Sequence, residues 1–189
     1  MAKAAQGTGR DAPAELELVR RFVNSHAVDE HRDRLDSPEA LRGWLADHDL
    51  MDGSEPVSEG DLRRALDVRE GLRALLLANN GEELDRSAIE RLDRAASRAG
   101  LRPRFEPGAD PVLEPDARGV DGALAWLLGV VTGAVADGTW QRLKVCLDET
   151  CLWAFYDRSK NQSKRWCKME VCGNAAKARA YRQRQAAGA

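Results

Sequence analysis

The sequence predicts a mainly α-helical protein, with a helical body over residues 13–138 and a smaller β-hairpin-and-helix module over residues 139–189. Three observations carry this. Leucine-rich stretches repeat their apolar residues every three or four positions, the period of a helix with one buried face. Aromatic residues make up only 5% of the chain, so the core is aliphatic and a large sheet is not expected. All four cysteines fall within 27 residues near the C-terminal end, setting that part off from a cysteine-free body.

Residues 1–12 are small and polar and are expected to be a flexible lead-in. Pro13 suits a first helical turn, and Leu16, Val19, Val23 and Ala27, widened by Phe22, make the buried stripe, leaving Arg20 and Arg21 in water. Ser37, Pro38 and Glu39 read as the cap and first turn of a second helix, which buries Leu41, Trp44 and Leu45 and ends near Leu50. Ser58 and Asp61 have capping-box spacing ahead of a long helix carrying Leu62, Leu66, Leu72, Leu75 and Leu76, and Asn79, Asn80 and Gly81 stop it. A fourth helix, about Ser87 to Ala99, carries Ile89, Leu92 and Ala96, with Gly100 as its C-terminal cap.

LRPRF and PVLEP, joined by EPGAD, form a short edge hairpin in this reading, because proline is tolerated at a sheet edge and not inside a sheet. A helix over about Val120 to Ala136 completes the core. Its glycines allow close packing against a neighbour, and Gly138 ends it. The most apolar run, Ala123 to Ala136, is shorter than the roughly 20 residues that cross a bilayer, so no membrane span is expected. The opening MAKAAQGTGRDAPAE lacks a signal peptide's apolar region, which points to the cytoplasm.

The net charge of −2 hides a segregation: residues 1–140 carry −9 and residues 141–189 carry +7, so the C-terminal part is the candidate anion binder. The cysteines there are spaced Cys146-x4-Cys151 and Cys167-x4-Cys172 with fifteen residues between the pairs. Two close pairs can bring four thiolates to the corners of a tetrahedron, the geometry of a closed structural zinc site with no position left for catalysis. The other readings are two disulfides, against which the missing export signal argues, or free buried thiols. Between the pairs LWAFYDRSKNQSKRW reads as a hairpin, with Trp153, Phe155 and Asp157 alternating with Ala154 and Tyr156 ahead of an RSKNQ turn. Asn174 is placed to cap a basic helix, AAKARAYRQRQ, on which Lys177 and Arg184 share a flank with Tyr181 while Arg179 and Arg182 lie nearly opposite.

The segment RLKVCLDETCLWAFYDRSKNQSKRWCKMEVCGNAAKARAYRQR resembles the bacterial CGNR zinc finger. Residues about 14–137 resemble the ABATE domain that usually precedes that finger, through FVNSH, SPEALRGWL and LRRALDVREGLRALL. The resemblance implies one structural zinc ion held by Cys146, Cys151, Cys167 and Cys172, and DNA binding by a stress-induced transcription regulator. One motif position departs, since Ala175 stands where the family has arginine.

A tetrathiolate zinc centre has a net charge of −2, which accounts for two of the excess cations and leaves the rest to favour a polyanion. In that reading Arg158, Lys160, Lys164 and Arg165 contact the phosphates of double-stranded DNA, with Ser159, Asn161 and Ser163 as hydrogen-bond donors. Lys177, Arg179, Arg182 and Arg184 are the candidates for base-edge contacts from a major-groove helix. Trp153, Tyr156 and Trp166 are expected to be core before they are stacking surfaces. The alternative function is a zinc-stabilised protein-interaction module using the hairpin's aromatic side, with binding that depends little on salt. An enzyme is not expected, because His26, His31 and His48 lie far from the cysteines and no phosphate loop, serine elbow or paired-histidine motif is visible. In the body, Asn24, His26, Trp44 and His48 are expected to line a cleft for a small-molecule effector; the alternative is a scaffold for a homodimer.

Overall fold

The computed structural model describes residues 12–105, 107–108 and 112–187; the expectation for residues 1–11, and for Glu106 and residues 109–111 in the hairpin link, lies outside the described residues. Among the described residues six α-helices and three two-stranded antiparallel hairpins follow one another: α1 (Ala14–Val23), β1 (His26–Ala27), β2 (Arg32–Asp33), α2 (Pro38–Asp47), α3 (Glu59–Ala78), α4 (Arg86–Ala99), β3 (Leu101–Arg104), β4 (Val112–Pro115), α5 (Gly119–Ala136), β5 (Leu143–Val145), β6 (Ala154–Tyr156) and α6 (Asn174–Ala187).

Local chemistry sets most of the boundaries. Ser37 accepts a hydrogen bond from Ala40 N at 3.2 Å and starts α2. Ser58 and Asp61 form a reciprocal capping box at α3. Gly100, in the left-handed region at φ 58°, ends α4. The hairpin β3–β4 pairs Leu101 with Pro115 through Arg104 with Val112 and packs on α5.

α3 is the axis of the body. Its Leu62, Val68, Leu72 and Leu76 meet Leu16, Val19 and Phe22 of α1, Leu41 and Leu45 of α2 and Leu124 and Leu127 of α5 in one core. Leu143, Val145 and Ala154 of β5 and β6 belong to that same core.

The structure corrects several expectations. α1 stops at Val23, because Asn24 and Ser25 turn the chain into β1, so Ala27 is buried from a strand and not from the helix. Arg20 is not in water: its guanidinium holds Glu17 at 2.6 and 2.7 Å and reaches Ala154 O. α4 presents Ala88 and Leu92 to the core, leaving Ile89 and Ala96 exposed, because Asp85 caps the helix. α5 is 18 residues long with a mean hydropathy of 1.6, which by length and composition alone is enough to cross a membrane. Its N-terminal part, including Val120, Ala123, Leu124 and Leu127, is buried in the helical body.

On α5 the close approach is made at one of the helix's glycines, Gly122. A side chain at Gly122 would come within 2.4 Å of Ala117 O, whereas Gly133 faces open space and Gly129 makes ordinary contacts. Gly122→Ala is therefore expected to cost about 1–3 kcal/mol through overpacking against backbone. Gly133→Ala should stabilise by about 0.5–1 kcal/mol, and urea unfolding of the pair checks the contrast.

Candidate metal centre and basic surface

Two knuckles of similar length build the cysteine cage. In the first, Cys151 N and Leu152 N both donate to Asp148 O, at 2.7 and 3.0 Å, and Thr150 donates from N and Oγ1 to Asp148 Oδ1. Leu152 leaves this turn at φ 48°, a left-handed conformation that costs a branched side chain free energy. In the second, Cys172 N and Gly173 N donate to Lys168 O within a wide helical turn over Met169–Gly173 that runs straight into α6. Asn174 is consequently not a cap: its backbone is helical and its side chain donates to Glu170 O at 3.1 Å.

The four Sγ atoms lie within 4.8 Å of one another, and Cys151–Cys167 and Cys167–Cys172 are each separated by 3.7 Å. A disulfide needs about 2.05 Å, so neither pair is bonded. The edge of a tetrahedron with zinc–sulfur bonds of 2.3 Å is about 3.8 Å, which the two shorter separations meet. The donor set and its burial fit one structural zinc ion, with Cys146, Cys151 and Cys172 buried and Cys167 half-buried.

The thiols differ in charge state while they face only each other. Hydrogen bonds from the Cys151 and Cys167 thiols draw the Cys146 pKa down to about 2, helped by the amides of Asp148 and Cys167. The same contacts push Cys151 up as donor and Cys167 up to about 12, and burial together with the Cys146 charge raises Cys172. Zinc requires four thiolates, so loading at neutral pH is expected to release protons, their number set by how many of the four thiols are still protonated. Titration calorimetry in buffers of differing ionisation enthalpy measures that number, and a value near zero would contradict the cage.

The hairpin holding this cage differs from the one read in the sequence. β6 pairs with β5 on its N-terminal side, Leu143 with Tyr156 and Val145 with Ala154, so the first knuckle is the hairpin loop. Pairing with the segment after RSKNQ does not form, because that segment folds around a buried ion pair. Lys144 Nζ donates to Asp157 Oδ2 at 3.1 Å, to Gln162 O at 2.5 Å and to Lys164 O at 3.3 Å, with side-chain exposures of 6% and 0% for Lys144 and Asp157. Asp157 also accepts from Ser159 N and Lys164 N, both at 2.9 Å. Burial opposes its ionisation, yet these bonds from Ser159, Lys144 and Lys164 bring its pKa down to about 2.

With backbone polar groups turned inward on Lys144 and Asp157, the loop turns its side chains out. Arg158, Lys160, Asn161, Ser163, Lys164 and Arg165 are exposed, and Ser159 is half-buried with its Oγ accepting from Ser163 N. On α6, Lys177, Arg182 and Arg184 are exposed. Arg179 is not among these exposed residues, because its guanidinium binds the buried Asp148 carboxylate at 3.0 Å and docks α6 on the first knuckle. Burial opposes Asp148 ionisation, and Thr150 and Arg179 hold its pKa below the usual carboxylate range.

The body grips the finger through side chains that bind its backbone. Asn24 pairs with Ala154 in both directions, at 2.9 Å to its O and 2.7 Å from its N. Arg73 donates to Leu152 O and Val23 O, both at 2.8 Å. Asn79 donates to Trp140 O and Leu143 O, and Asn80 to Val145 O and Arg165 O. These residues are absent from the set read in the sequence except for Asn24, which was assigned to an effector cleft. The buried-arginine spacing Arg69, Arg73 on an otherwise apolar face of α3 was the available signal.

The four cleft candidates are not brought together. Asn24 is spent on β6, and His26 lies 3.8 Å from Glu70. Trp44 and His48 stack with ring centroids 4.1 Å apart, and His48 Nδ1 meets Trp44 O at 2.7 Å. Among the described residues His48 lines surface cavities, one of about 360 Å³ shared with Leu50, Arg118 and Trp126 and one of about 500 Å³ shared with Leu18 and Arg21.

Fold and cage together define a zinc-binding protein whose finger is built into a helical body. Residues 142–185 match the family model of the CGNR zinc finger. Residues 16–139 match the ABATE family, described as "Putative stress-induced transcription regulator". This second match spans about two-thirds of the chain, and the protein belongs to the ABATE family. No curated protein matches it.

Proposed function

We propose that the protein is a transcription regulator that binds double-stranded DNA through its zinc finger and is not an enzyme. The observation that carries this reading is the outward row of cations on residues 158–165, joined by Lys177, Arg182 and Arg184 of α6. The loop cations meet phosphates, and α6 reads the groove edge with Lys177, Arg182 and Arg184. Arg179 holds α6 in place and takes no part in base contact. The body carries −9, so DNA approaches from the finger side alone.

The protein-interaction alternative is less well supported. The aromatic side it relies on is largely used inside the protein, with Phe155 buried, Trp153 and Trp166 packed on the cysteine cluster and Tyr156 on the main core. In the DNA reading an effector in the cytoplasm would act from the cavity beside His48, not from a cleft among all four candidates.

Binding to duplex DNA is expected to weaken steeply with salt, with a log–log slope on the order of −5, because each neutralised phosphate releases counterion. Lys164→Ala should weaken binding similarly for all sequences and reduce the slope by about 1. Fluorescence anisotropy at several salt concentrations decides it, and a slope near zero would favour the interaction module.

A further inference from the structure

We infer that α6 docks into an acidic groove on a second copy of the chain, forming a reciprocal dimer that hides the helix from DNA. The groove, about 320 Å³, lies where α3, the α3–α4 turn and the first cysteine knuckle meet. Its floor is apolar, with Leu77, Leu147 and Leu152, and its rim carries Glu82, Glu83 and Glu149. None of these three carboxylates makes an ion pair among the described residues. The rim is therefore a concentrated, unneutralised negative edge around a surface that accepts an apolar side chain.

α6 supplies the complement. Arg179 binds Asp148 of its own knuckle, which commits that flank of the helix to its own chain. Lys177, Tyr181 and Arg184 project from the opposite flank, all exposed, with Tyr181 57% exposed. Residues 181–186 are exposed throughout, and a short helix end with no cover is marginal by itself in water. One aromatic ring between two cations, spread over about 10 Å of helix, matches a small apolar floor between carboxylates.

The choice of a second copy follows from charge and from closure. Chain segments carrying −9 and +7 attract between molecules. Within one molecule it is the Arg179 flank of α6 that is held on Asp148, and Lys177, Tyr181 and Arg184 lie on the opposite flank of the helix. Asp148 is also next to Glu149 on the rim, so each helix starts beside the groove that its partner fills. Two such contacts close around a two-fold axis and leave no open end for a filament. The masking part of the inference rests on the DNA reading; the dimer does not.

The test uses zinc-loaded full-length protein and light scattering during gel filtration. At low salt the mass is expected to be twice 20.8 kDa, falling to 20.8 kDa at high salt. The variant Glu82→Lys with Glu83→Lys and the variant Lys177→Glu with Arg184→Glu should each be monomeric at low salt with zinc content unchanged. Mixing the two should restore the doubled mass, since both contacts of the mixed pair are then of opposite charge. A monomeric parent chain at low salt, or a mixture that stays monomeric, would overturn the dimer. Duplex DNA should dissociate the parent dimer; a dimer that persists on saturated DNA overturns the masking while leaving the interface standing. Charge-swap rescue together with salt-insensitive DNA binding would place the failure in the DNA reading instead.

Discussion

Cys151→Ser is expected to abolish zinc binding and to lower the melting temperature of the whole chain in one cooperative transition, not to unfold the finger alone. Structural zinc contributes on the order of 10 kcal/mol to small modules of this kind, comparable with the entire stability of a typical domain. In a pendant finger that loss would stay local. Here Leu143, Val145 and Ala154 sit in the core of the helical body, and Asn24, Arg73, Asn79 and Asn80 are buried or half-buried with their donors aimed at finger carbonyls. Once the knuckles loosen, those donors lose partners inside the protein, at about 1–3 kcal/mol for each left unsatisfied. Differential scanning calorimetry with and without a chelator checks this, and a body transition that chelation leaves unmoved would refute the coupling.

Asp157→Ala should destabilise the chain by about 3–5 kcal/mol, the cost of stranding a buried charge, because Lys144 would keep only two backbone carbonyls as partners. Replacing both residues, Lys144→Met with Asp157→Leu, should recover much of that stability. Ser159 N and Lys164 N would still have lost their acceptor, so residues 158–165 would loosen. The double variant therefore keeps zinc and loses DNA affinity, which separates folding from presentation of the loop. The acid dependence has a definite sign. The folded pKa of about 2 lies below the unperturbed value of about 3.9, so the stabilisation from Asp157 is complete above roughly pH 4 and disappears as pH falls through about 2. Chemical unfolding of the parent and of Asp157→Ala across that window should converge at the acid end, where both leave Lys144 without a counter-charge.

The zinc ligands were legible because metal coordination demands a specific residue type at short spacing, and no other cysteines compete for the assignment. The ion pair between Lys144 and Asp157 was not, since a lysine and an aspartate thirteen residues apart in a charged segment look like ordinary surface. The alternation of Trp153 to Asp157 correctly marked a strand, but its partner had two possible sides. Pairing backward to Leu143 satisfies the strand and completes the body's core, whereas pairing forward would leave Lys144 buried without its carbonyls.

By itself the sequence determined the helices, the caps at Ser37, Ser58 and Gly100, the cysteine cage and the segregation of charge. Each of these depends on residues close in the chain, through hydrogen bonds within a turn, the period of a buried stripe, or ligand spacing. Only the tertiary structure decided that Asn24 and Asn80 serve the finger's backbone, that Arg179 is a tether, that Gly122 and not Gly133 is the tight glycine, and that finger and body share one core. Those outcomes depend on which buried polar groups find partners across 31 to 134 residues of chain, and desolvation settles that choice only after the surfaces have met.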